Sequence, residues 1–333
     1  MSNEKRAILT DNPDFNKWLE ENYSVEIEEY EFPSSEVLYQ MSYESYLEAL
    51  ARYEKDPKIE MSRIEENFPS PIAYYFYQAE NNYQNDHHRL DLLKSCWEAT
   101  VYILFGIVVA EARHRELPLK ELGIQWKTYW SDRLYDKLTI IENIIDYATK
   151  SGILLNCTHI VSIDTLTLIK KLNQERNGFA HASARTAAQQ KALYAELYPQ
   201  LEMVLKQLIK LEEVIFFRYH EAETPLYPRC EIFRGTSMDG RKEIIPIQKD
   251  NYVNILDHFN QQLIFAKIYG EVFCVSPFIH YFQEDHEPNA LICFYKKKSS
   301  GKYTYEVVSK SQNKEFDASN FQLMSERLKG LVS

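Results

Sequence analysis

The chain has 333 residues, with 38 basic against 49 acidic side chains, a net charge of −11 and a pI near 5.4. That balance excludes a general nucleic-acid coat protein, whose affinity comes from neutralising many phosphates. Any nucleic-acid substrate must meet a local basic patch, including one formed only in an oligomer, and the length suffices for two domains with an N-terminal extension.

Residues 1–66 read as an acidic N-terminal extension. Within it Asp14 to Glu21 and Ser45 to Tyr53 have helical spacing, Glu26 to Glu31 is a charge run, and Pro33 and Pro57 punctuate the segment. The run is expected to be a solvated face. The first six residues, Met-Ser-Asn-Glu-Lys-Arg, carry no apolar stretch, which predicts no secretory signal. Cys96, Cys157, Cys230, Cys274 and Cys293 are widely spaced without a C-x-x-C pair, as reduced thiols of a cytoplasmic protein would be.

From Pro69 the pattern becomes helical. Ile72, Tyr75, Phe76 and Ala79 share a face; Leu90, Leu93, Trp97, Val101, Leu104, Val108 and Ala112 then form a stripe over His87 to Arg115. The apolar run Val101 to Ala110 is about half a membrane span, so a buried core helix and no membrane are expected. Leu138, Ile141, Ile144 and Ile145 mark a helix ended by Gly152. Asp164 or Thr165 is the expected cap of the next, with Leu166, Ile169 and Leu172 on its inner face. A last helix is read over Ala187 to about His220, with Pro199 expected to kink or split it. Residues 67–222 therefore read as an all-α bundle of about five helices.

After Pro225 the period falls to two. Cys230–Arg234, Glu243–Gln248, Leu263–Phe273 and Ala290–Tyr295 are strand candidates, Ser299-Ser300-Gly301 is a hairpin turn before Tyr303–Val308, and Ser319–Lys329 is a closing helix. Residues 226–333 read as a small, separate β-rich domain, and the fold class as α+β.

The chemistry-bearing segment is Arg176-Asn177-Gly178-Phe179-Ala180-His181. A guanidinium holds a phosphate, and an imidazole moves a proton near neutral pH. On a helix Asn177 and His181 lie about 40° apart, while Arg176 and His181 lie about 140° apart, so Gly178 is where a bend would bring the guanidinium round. The residues alone also fit a helix-end arginine paired with Glu175 beside a packed histidine. The R-N-x-x-x-H pattern, within helices, resembles the signature of the HEPN superfamily over roughly residues 69–220. The resemblance implies a helical bundle, a homodimer with the site at its interface, and metal-independent endoribonuclease activity with no cofactor. In that reading His181 is general acid or base for attack by the ribose 2′-OH, Arg176 holds the phosphate oxygens, and Asn177 orients the ring or bonds the phosphate. It further implies roles in antiviral defence or as a toxin, RNA as substrate, and a regulatory protein or antitoxin as partner. Some members serve instead as non-catalytic dimerisation or partner-binding modules.

Other candidates carry less. His87-His88 point to different faces and read as surface residues; His280 reads as a satisfied loop histidine. Glu98 and Glu111 are expected on exposed helix faces, with positioning of Arg176 as the sharper alternative. Lys296, Lys297, Lys298 and Lys302 surround the hairpin turn and read as a solvated tip, or as a knob that steers RNA. The 24 tyrosines are expected to be mainly half-buried core residues. P-loop, dinucleotide-binding, zincin and serine-hydrolase signatures are missing.

Overall fold

The computed structural model describes residues 12–23, 34–175, 185–221, 228–237, 239–247, 263–284, 286–287, 289–308 and 313–333. The chain divides into two units, Met1–Ser62 and Arg63–Ser333. The charge run at Glu26 to Glu31 lies outside the described residues.

The first unit holds α1 (Pro13–Tyr23), α2 (Ser34–Met41), α3 (Tyr43–Glu54) and the start of α4 (Pro57–Asn67). Phe15, Leu19, Tyr46 and Ala49 form its core, with the Phe15 ring 5.7 Å from Tyr46 and 5.0 Å from Tyr53. The Trp18 indole donates to Asp56 at 2.8 Å, which ties α1 to the turn before α4. This unit is thus built on its own small aromatic core, although its sequence shows only intermittent periodicity.

In the second unit α5 (Ser70–Asn81) pairs with α6 (Asp86–His114), and α7 (Leu134–Lys150), α8 (Ile163–Glu175) and α9 (Ala187–Gln207) follow. The apolar stripe read from the sequence makes α6 the central element. Its N-cap Asn85 accepts from His88 N at 2.9 Å, and Arg113 in its last turn suits the helix dipole. By length and composition α6 qualifies as a membrane span, yet 83% of its apolar window is buried inside the protein. The α8 cap is Ser162, whose Oγ accepts from Thr165 N at 3.0 Å, rather than Asp164 or Thr165. Pro199 lies inside an unsplit α9.

Among the described residues the strands form two antiparallel sheets. The first has order β3-β2-β1-β4-β5, from β1 (Ile215–Glu221), β2 (Arg229–Phe233), β3 (Arg241–Ile244), β4 (Phe265–Ile268) and β5 (Glu271–Cys274). The second is a meander of β6 (Ile279–Phe282), β7 (Leu291–Ser299), β8 (Lys302–Val307) and β9 (Asn313–Asp317), closed by α10 (Gln322–Val332). Several boundaries differ from expectation: the candidate Glu243–Gln248 is the strand Arg241–Ile244, the closing helix is Gln322–Val332, and β6 and β9 are not among the candidates. The last helix gives way after Gln207, and Ile215 to Glu221 becomes the central strand of the first sheet. The long candidate Leu263–Phe273 is a hairpin that turns at Tyr269-Gly270.

The strands pack on the helices within one compact unit, so 67–222 and 226–333 are not separate bodies. Central helix α6 contacts both β5 and β7. The Phe105 ring meets Phe278 edge-on at 5.0 Å, and Tyr102 stacks on Phe294 at 5.2 Å. Gly106 permits this approach: a Cβ there would lie 2.9 Å from Ile279 Cδ1. The α+β class holds, with helices first and strands after, over a shared core.

Candidate functional site

Arg176, Asn177 and His181 lie outside the described residues. Their frame is described on both sides: α8 ends at Glu175, and α9 begins at Ala187 behind a capping box in which Thr186 and Gln189 bond reciprocally. The two helices pack on each other, and α9 also packs on α6.

Side-chain contacts fix which end of the bundle holds this connection's flanks. Tyr198 stacks on Phe76 at 5.9 Å, and one helical turn earlier the Tyr194 hydroxyl donates to Glu80, one turn later in α5. Helix α9 therefore runs antiparallel to α5 and starts at the end where α5 turns into α6. Arg89 is the centre of that end. It donates to Ala79 O at 2.9 Å and Glu80 at 2.8 Å, and its guanidinium lies 3.8 Å from the Tyr194 ring centre and 4.4 Å from that of Tyr83. Burial, with Glu80 adding to it, pushes the Tyr194 hydroxyl well above its ordinary range. Arg89 is thereby committed to holding α5, α6 and α9 in register.

Other sequence candidates prove structural. Glu98 is not on an exposed face: Lys296 Nζ reaches it at 2.9 Å and also meets Glu306 at 3.0 Å, joining α6 to β7 and β8. Glu111 is fully buried and accepts from the backbone N of Asn156 at 2.5 Å and of Cys157 at 2.8 Å. It caps the helical turn Asn156–His159, and burial raises its carboxyl pKa against the pull of those two N–H groups. Lysines of the hairpin are largely engaged. Lys296 turns inward, Lys298 lies 5.2 Å from the Trp130 ring centre and donates to Tyr303, and Lys302 pairs with Glu315. His280 is on β6 rather than in a loop, boxed by Tyr281, Tyr305, Phe316 and Phe321, with burial pushing its pKa down to about 3. His87 is half-buried, 3.5 Å from Asp91, and His88 Nδ1 accepts from Gln84 N. All five cysteines are buried and unpaired, and burial raises every thiol pKa.

One residue the sequence reading passed over is chemically conspicuous. Lys137 on α7 is fully buried, and its Nζ has no hydrogen-bond partner among the described residues. A signal was available, since Leu134, Leu138 and Ile141 lie at i−3, i+1 and i+4 and put Lys137 on the apolar face. Comparison with family models, curated proteins and solved structures gives no match to this chain.

Proposed function

We propose that this chain is a metal-independent endoribonuclease of the HEPN type, acting as a homodimer on RNA through Arg176, Asn177 and His181. The observation that carries the reading is the R-N-x-x-x-H spacing in the connection between α8 and α9, two mutually packed helices of the bundle. His181 takes or delivers the proton as the 2′-OH attacks phosphorus, the bond to the 5′-oxygen breaks, and a 2′,3′-cyclic phosphate results. Arg176 offsets the charge that develops on the non-bridging oxygens, and Asn177 steadies the ring or the phosphate. A role in antiviral defence or as a restrained toxin, with a regulatory partner, belongs to the same proposal.

Charge distribution supports it. Met1–Ser62 carries 15 of the 49 acidic and 6 of the 38 basic residues, leaving 34 and 32 in Arg63–Ser333. The unit that holds the motif is therefore close to neutral, and the overall acidity is little obstacle to RNA there.

The test is incubation of total RNA with the wild-type chain or His181→Ala in EDTA. Cleavage by the wild type alone, with cyclic-phosphate ends, is expected. Equal cleavage by both chains refutes the role of His181, and binding without cleavage by either returns the reading to a non-catalytic module.

A further inference from the structure

The three elements α6, α7 and β7 meet around one amine. Lys137 Nζ lies 4.1 Å from the Phe105 ring centre, 5.0 Å from that of Tyr102 and 5.1 Å from that of Tyr295. Phe105 and Tyr102 come from α6, and Tyr295 from β7. The hydroxyls of the two tyrosines are spent elsewhere, Tyr102 on Asp132 O at 3.1 Å and Tyr295 on Trp130 O at 2.8 Å. The amine therefore faces ring carbon and π-density, with no acceptor for its protons among the described residues.

Two effects oppose each other there. An ammonium over ring faces gains about 0.5–2 kcal/mol per contact. Stripping it of water costs several kcal/mol, and no hydrogen bond among the described residues compensates that loss. Burial wins, aided by the neighbouring Lys296 charge, against Asp132 just before α7 and Asp136 in its first turn, and the Lys137 pKa falls from 10.5 to about 7. The remaining titratable groups facing the amine do not share that window: burial pushes Tyr102 to about 12, Tyr295 goes well above its ordinary range, and the carboxylates of Glu98 and Glu306 hold Lys296 above its own.

We propose that closure of the α6–α7–β7 junction is coupled to loss of the Lys137 proton, so that Lys137 is a proton-controlled latch between the helical bundle and the second sheet. Above about pH 7 the buried amine of the closed junction is neutral. When the junction opens, water reaches the amine and it takes up a proton. The sign follows from linkage: the open form binds the proton more tightly, so opening is favoured as pH falls from about 10 toward about 7, and below that both forms are charged and the dependence ends. The latch is independent of the ribonuclease reading, since it uses none of Arg176, Asn177 or His181.

The experiment is hydrogen exchange of the intact chain, wild type and Lys137→Met, with protection of the α7 and β7 amides followed from pH 6 to 10 after the intrinsic rate is divided out. In the wild type the opening constant rises about tenfold per pH unit as pH falls from 10 to 7.5 and levels off below 7. Methionine fills the same aromatic box without a charge, so the variant stays folded and shows no such dependence. Lysine-resolved NMR of the wild type, with Lys137 identified by its loss in the variant, gives the amine titration directly. The proposal is overturned if Lys137 titrates above pH 10 in the closed protein, or if Lys137→Met keeps the wild-type pH profile.

Discussion

Replacing Gly240 by alanine is the sharpest probe of the β-sheet core. A Cβ at this position would lie 2.1 Å from Glu231 Cγ and 2.6 Å from its Cδ, against about 3.5–4 Å for relaxed carbon contacts. Glu231 has nowhere easy to go. It is fully buried, receives Arg218 Nε on one oxygen, and accepts Ala290 N at 2.8 Å on the other. Arg218 is itself only 11% exposed, lies 4.3 Å from the Tyr281 ring centre and donates to Gln283, so it cannot follow a displaced carboxylate. Overpacking alone costs about 1–3 kcal/mol, and separating a buried ion pair about 3–5 kcal/mol. These overlap in one movement, so Gly240→Ala is expected to lose about 3–5 kcal/mol. Urea denaturation measures it as a lower midpoint at unchanged slope. A double-mutant cycle with Glu231→Ala isolates the cause: with the carboxylate removed, the added methyl costs little more, and the double variant falls short of additive by most of that loss of about 3–5 kcal/mol. A loss below about 1 kcal/mol, or strict additivity, refutes this reasoning.

Further outcomes follow from the same structure. Lys137→Met is expected to stabilise the protein at pH 7, because the shift from 10.5 to about 7 represents up to about 5 kcal/mol, less what the three ring faces return. Wild-type stability rises between pH 7 and 10.5 as the unfolded chain alone holds the proton, so this advantage shrinks over that range in paired melts, and a constant difference contradicts it. Gly106→Leu drives a side chain into Ile279 and Phe278 at the α6–β6 approach, with an expected loss above about 3 kcal/mol in denaturant. Arg176→Lys keeps the charge but not the planar fork; for the proposed nuclease kcat is expected to drop at least about tenfold while the salt dependence of RNA binding is unchanged. A loss confined to KM would place Arg176 in ground-state binding only.

The sequence alone determined those elements whose signals are local. The stripe from Leu90 to Ala112, the face from Leu138 to Ile145, the breaks at Pro69 and Gly152 and the Ser299-Ser300-Gly301 hairpin depend on neighbours within a few residues, and each appears at its expected place. The R-N-x-x-x-H segment is legible in the same way, as residue types at a spacing, and its conformation lies outside the described residues. Tertiary structure decided what depends on partners far along the chain. Ile215 to Glu221 continues a helical apolar spacing from Leu208 and Leu211, yet becomes a strand because β2 and β4 offer backbone partners on both edges. Glu98 and Glu111 look like surface acids until Lys296 and the Asn156–Cys157 amides arrive from 198 and about 45 residues away. Lys137 is one polar letter on an apolar face, and only the docking of β7 onto α6 and α7 seals it from water. Spacing encodes which face of a helix turns inward; burial, ion pairing and titration are set by what that face meets.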